Sequence, residues 1–297
     1  MKEYATLGLL AWYHNMIPAL LPFMIFTNLI MNLNLETKIL KPLYPVLGTI
    51  YQVRKELVFA ICLGFLCGFP MGSKILSELY KSGKISHAEA EYLLAFTNNI
   101  GPAYYVCFVY PVLLQNYPLL YLLCLQYGIP LLYGLILRYT TYRKKLAGPV
   151  TNMMKSNQTR EKLTIQKAIC GLDDAINTGL VQIAALGGYM IVFNVLVWFP
   201  GELLKKQPYL ALFFHTFLEI TGGLQKAAQM LHIGSSFANH LLLFVHSMLC
   251  LNGLCCLAQT MKFLKGTDLS VKKYMLHKGI LCSITIVCIL TLQDRFK

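Results

Sequence analysis

The chain predicts an all-α polytopic membrane protein made of two inverted repeats, each with broken or re-entrant helices. Three observations predict it. Of 297 residues, 56% are hydrophobic and only 13% charged, with a mean hydropathy of +0.55, whereas soluble domains carry about a quarter charged residues. Several apolar stretches reach the roughly twenty residues that cross a ~30 Å hydrocarbon core. Each half is also interrupted twice. The first half breaks at Gly68-Phe69-Pro70-Met71-Gly72 and again at Asn98-Asn99-Ile100-Gly101-Pro102. The second breaks at Glu219-Ile220-Thr221-Gly222-Gly223 and at Leu251-Asn252-Gly253-Leu254. Hydrocarbon cannot satisfy freed backbone groups, so such breaks persist only where they are buried in protein or line a cavity. Matched breaks in two halves point to a midplane site of the transporter kind.

Residues 5–33 are apolar but divided by His14, Asn15, Pro18 and Pro22, which reads as an interfacial helix followed by a span. The absence of a small-residue cleavage site makes it a retained span rather than a signal peptide. A polar connector with Pro42, Pro45, Arg54, Lys55 and Glu56 follows, and 57–69 is apolar but too short to cross before the first break. Residues 74–91 are charged and amphipathic, with a turn at Ser82-Gly83-Lys84. Ser86 with Glu89 three residues on predicts a capping box. Residues 92–114 return to the membrane, and 119–137 form a cleaner span ending at Arg138.

The net charge of +13 is concentrated in the polar segment between the halves, which carries about half of it. Arg138, Arg143, Lys144, Lys145, Lys155, Arg160, Lys162 and Lys167 stand against one acid, Glu161. The positive-inside rule places that connector in the cytoplasm, where gripping anionic headgroups is compatible with it. A nucleic-acid partner is not expected, since no aromatic or fold signature accompanies the charge. The resulting division is a first membrane repeat at 1–138, a basic cytoplasmic connector at 139–167, and a second membrane repeat at 168–297. Residues 23–30 align with 189–196, Gly72 with Gly223, and Gly101 with Gly253. The change in spacing predicts a shorter connector near 199–208 in the second half.

Candidate solute-binding residues are those of the breaks. Gly68, Pro70, Met71, Gly72 and Ser73 form either a plain bend or a cavity wall whose freed Met71, Gly72 and Ser73 amides face an anionic or polar group. Asn98 and Asn99, with Gly101 and Pro102, either bind neighbouring backbone or hold a neutral polar solute, since an amide offers donors and an acceptor. Thr221, Gly222, Gly223, Asn252 and Gly253 complete the facing side. Glu219, an acid inside a span, is the candidate for ion coupling, with a carboxyl bonded to His215 or Asn194 as the alternative. Asp173 and Asp174 read as interfacial. His240 and His246 share no clean helical face, and no Cys-x-x-Cys pair occurs among ten cysteines, so neither a metal nor a disulfide framework is expected. No cofactor is expected either. No Ser/Lys, Asp/Asp or zinc constellation supports an enzyme, which leaves transport or a non-transporting scaffold.

The segments Gly8-Leu9-Leu10-Ala11-Trp12-Tyr13, Pro18 to Phe23, Gly68 to Lys74, Gly83-Lys84-Ile85-Ser86, Glu89 to Phe96 and Thr97 to Pro102 resemble the sporulation integral membrane proteins of the YlbJ type. These lie within the nucleoside-recognition, or Gate, membrane superfamily. The resemblance implies a multi-pass protein of the bacterial inner membrane, connected with spore cortex formation. It also implies passage of a small polar solute and sporulation proteins as partners beside the lipid bilayer. In the second half, Asn252, Cys255 and Leu257 replace a glycine, a serine and a histidine of a family stretch. The sequence contains no Gly-x-x-x-x-Gly-Lys-Ser/Thr phosphate loop, so a GTPase domain is not expected.

Overall fold

The computed structural model describes residues 1–33, 35, 42–146, 165–232 and 240–292, and every regular element among them is a helix. Most of the basic connector, 147–164, lies outside the described residues. Helix α1 runs unbroken over Lys2–Asn32, where the sequence predicted a division. A π-helical turn at Trp12–Met16 absorbs the polar His14 and Asn15, as single wide turns inside α-helices do. The Trp12 indole N–H donates to the Ile183 carbonyl at 2.8 Å and anchors that turn.

Helix α2 (Tyr44–Tyr51) ends on Gln52 at φ 48°. Arg138, which the sequence placed at a membrane boundary, is buried and caps it. Its guanidinium donates to the carbonyls of Tyr51 (2.9 Å) and Gln52 (3.2 Å), the ordinary way a cation closes a helix C-terminus.

Helices α3 (Lys55–Cys67) and α4 (Met71–Lys81) pack together around the first break, which contains a cis Phe69–Pro70 bond. Gly68 has φ +65°, and a β-carbon there would collide with the backbone of Gly101. Only glycine lets the two first-half breaks meet so closely. Helix α5 (His87–Thr97) begins with the expected capping box of Ser86 and Glu89. After the break, α6 opens at Pro102–Tyr104 and continues as the π-helical stretch Tyr105–Leu114. Helix α7 spans Leu119–Tyr139.

Helix α8 (Ile165–Leu203) has 39 residues, ~58 Å at 1.5 Å per residue, and lies along α1. Helices α9 (Pro208–Leu218) and α10 (Ile220–His232) pair across Glu219, whose backbone is extended. Helices α11 (Leu241–Leu251) and α12 (Gly253–Leu264) join at Asn252 in a left-handed conformation, and α13 (Val271–Leu292) follows. The second-half connector is short, as expected, with α8 reaching Leu203 and α9 starting at Pro208.

The halves interlock. Helix α4 packs against α12 and, reciprocally, α10 packs against α6; α5 also touches α13. Among the described residues, five segments are long and apolar enough to cross a membrane: α1, α7, α8, the α11–α12 pair and α13. Large apolar side chains stay outward on them, including Phe26, Leu132, Val181 and Leu276, each more than half exposed. Water would not tolerate so much exposed apolar surface, but acyl chains would.

Candidate functional site

Two polar centres occupy the breaks. The first is Glu219, 2% exposed. Because α9 ends there with an extended residue, the carboxylate folds onto the first turn of α10. It accepts from the Thr221 N–H (3.0 Å) and the Gly222 N–H (2.7 Å), groups that the start of a helix leaves unpaired. Asn194 of α8 donates a third bond at 3.1 Å. His215 lies close by, yet neither ring nitrogen has a hydrogen-bond partner among the described residues. A β-carbon on Gly222 would stand 2.8 Å from Asn194 Oδ1, 3.0 Å from His215 Nε2 and 3.1 Å from Glu219 Oε2. Glycine is what allows three polar side chains to converge on that backbone.

Glu219 and Thr221 face a cavity of about 40 Å³. Phe69, Ile100 and Gly101 line it from the first half, and Tyr104 donates from its hydroxyl to Thr221 Oγ1 at 3.3 Å. A second cavity of about 50 Å³ is lined by Pro70, Met71, Gln182 and Lys262. Leu186 and Gln259 border both, and the buried Gln259 Oε1 has no partner among the described residues. At about 10–15 Å³ per water centre, each holds a few waters.

The second centre joins the halves directly. Asn98 Oδ1 accepts from the Ser73 N–H (3.3 Å), while its amide donates to Thr260 Oγ1 (3.2 Å) and the Tyr274 hydroxyl (3.0 Å). The Asn99 amide donates to the Phe96 carbonyl at 2.6 Å. Asn252 donates to the Asn98 carbonyl (3.2 Å) and to Tyr274 (3.3 Å). Lys278 of α13 donates to the Asn98 carbonyl (2.6 Å) and Asn99 Oδ1 (2.8 Å).

The candidate residues therefore divide. Pro70, Met71, Gly101, Glu219 and Thr221 border cavities. Ser73, Asn98, Asn99 and Asn252 are engaged with one another and with α13, and the Gly72 N–H donates to the Gly68 carbonyl at 3.1 Å. Gly68 and Gly253 are close-approach points: a β-carbon on Gly253, at φ +68°, would lie 3.0 Å from the Phe217 carbonyl. Gly223 packs against Thr216 of α9, and Pro102 opens α6. Asp173 and Asp174 are exposed on α8. Sequence reasoning missed Lys278, Tyr274, Tyr104 and Gln259. Lys278 had a signal: a cation inside the apolar run of a span is a functional candidate by default.

One further correspondence came from the alignment of 23–30 with 189–196. Asn28 and Asn194 occupy matched positions. Asn28 Oδ1 accepts from the buried Lys74 ammonium of α4 at 2.8 Å, as Asn194 holds Glu219 of the other hairpin. In each case an asparagine amide holds an ionisable side chain of a hairpin.

Compared with known proteins, the chain is 27% identical over 206 residues to the sporulation integral membrane protein YlbJ of Bacillus subtilis (strain 168), across 65% of this chain and 50% of that protein. The chain thus spans about half the length of the curated relative it matches. No family model matches the sequence, and no solved structure matches it. The five membrane-length helices together with this likeness identify a multi-pass membrane protein of a bacterium.

Proposed function

We propose, from the likeness to a sporulation membrane protein and the cavity between the breaks, that this chain carries a small polar solute across the bacterial inner membrane in support of spore formation. The observation that carries the reading is the shared cavity: Phe69, Ile100 and Gly101 of one half face Glu219 and Thr221 of the other across it. An acid held at such a place is functional by default. Residues 1–138 and 168–297 are read as inverted repeats about the connector 139–167. Supporting this are the reciprocal α4–α12 and α10–α6 packing and the matched Asn28 and Asn194. Glu219 couples an ion, while Thr221, Tyr104 and Gln259 offer hydroxyl and amide contacts to the solute. A cavity of this size admits no nucleoside or sugar in the present state, so loading requires the α9–α10 hairpin to move away from α6.

The test is melting of the purified protein against nucleosides, sugars, peptidoglycan precursors and cations, run alongside Glu219→Gln and Thr221→Val. One solute class raising the melting temperature of the unaltered chain, and losing that effect in the variants, supports the reading. No shift with any class, together with no flux into proteoliposomes, overturns it in favour of a non-transporting scaffold.

A further inference from the structure

Lys278 is 3% exposed, and no carboxylate pairs with it among the described residues. A buried ammonium without a counter-ion requires other compensation. Here it comes from neutral groups, two oxygens and an aromatic ring. Asn98 ends α5 with φ −88° and ψ 76°, which turns its carbonyl out of the helical ladder. That carbonyl and Asn99 Oδ1 take the two ammonium bonds, and the Tyr274 ring centre lies 5.6 Å from Nζ. The Asn252 amide donates to the same Asn98 carbonyl, and its own buried Oδ1 has no partner among the described residues. The hydroxyls of Tyr274 and Thr260 complete the cluster through Asn98.

Neutral oxygens at an unwound helix end, two of which take the ammonium here with further ones beside them, are the kind of ligand by which membrane proteins hold a monovalent cation. A divalent ion would call for carboxylates, and this cluster has none. We infer that Lys278 is the built-in cation of this cluster: its tethered ammonium stands where a sodium- or potassium-sized ion would otherwise sit and fastens the first-half break to α13. The break is then held closed without a bound metal ion, and α13 must withdraw the ammonium for it to open. The inference rests on the geometry of the break and not on the transport reading.

The test measures melting of the full chain in sodium, potassium and N-methylglucamine chloride at equal ionic strength, for the unaltered protein, Lys278→Met and Lys278→Ala. The readout is the gap between variant and unaltered chain in each salt, so any cation effect shared through Glu219 cancels. The expected result is a wide gap in N-methylglucamine that closes by more than half in sodium or potassium, with methylammonium rescuing Lys278→Ala. A gap equal in every salt, or no gap at all, overturns the inference. So does a pair of variants that fold in none of these salts, because a true cation site would be refilled by the small ion. None of these outcomes depends on a transported solute.

Discussion

Replacing Glu219 by glutamine keeps the shape of the side chain and breaks its hydrogen bonding. Two carboxylate oxygens accept three N–H donors, from Thr221, Gly222 and Asn194. A glutamine has one acceptor oxygen and an NH2 group that can only donate. Its best orientation puts the oxygen toward Gly222 and Asn194, and the NH2 group then confronts the Thr221 N–H. One buried donor is left unsatisfied, which costs about 1–3 kcal/mol; the opposite orientation strands two. Unfolding by dodecyl sulfate in mixed micelles should therefore show Glu219→Gln destabilised by about 1–3 kcal/mol, with Asn194→Leu also destabilised. A Glu219→Gln variant indistinguishable from the unaltered chain would refute the three-donor account of this carboxyl.

Three further outcomes are expected. Gly68→Ala forces a β-carbon into the Gly101 backbone at a φ of +65° and ψ of −162° that only glycine adopts readily, and should lower the melting temperature by an amount equivalent to at least about 1–3 kcal/mol; an unchanged melting temperature would show that the breaks do not meet there. Arg54→Ala removes the two-pronged pair with Glu89 (3.0 and 2.7 Å) and a bond to the Lys84 carbonyl. It should cost about 1 kcal/mol and speed hydrogen exchange at the start of α5. Outside the membrane spans, the Tyr80 hydroxyl donates to Asp268 at 2.7 Å and holds that carboxyl below its ordinary 3.8, with the nearby His87 adding to the effect. A depressed native value means the contact contributes stability above the ordinary value and loses it as pH falls through the native one. The contact should thus persist near pH 4 and release below it, and Tyr80→Phe should move the Asp268 carbon-13 titration up toward the ordinary value.

Local chemistry was legible in the sequence. Gly68, Pro70, Gly101 and Pro102 mark breaks because their backbone preferences are intrinsic, and the Ser86–Glu89 box encodes its own helix start. Long-range chemistry was not. The turn within α1 is tied down by Trp12 reaching Ile183, and the role of Arg138 depends on where α2 ends. Lys278 meets Asn98 only after the chain has folded back over 180 positions. Glu219 stood out as an acid among apolar residues. Of the two candidate partners the sequence named, Asn194 bonds it beside the Thr221 and Gly222 amides, while His215 makes no bond to it.

The most direct test of a site opened alternately to each side uses two native cysteines. Cys255 and Cys256 are buried and line the cavity with Glu219. A charged, membrane-impermeant methanethiosulfonate would be applied to right-side-out and to inside-out vesicles, with modification read by mass spectrometry. Alternating access predicts modification of this pair in both orientations. Modification from one side only, or from neither, would contradict it.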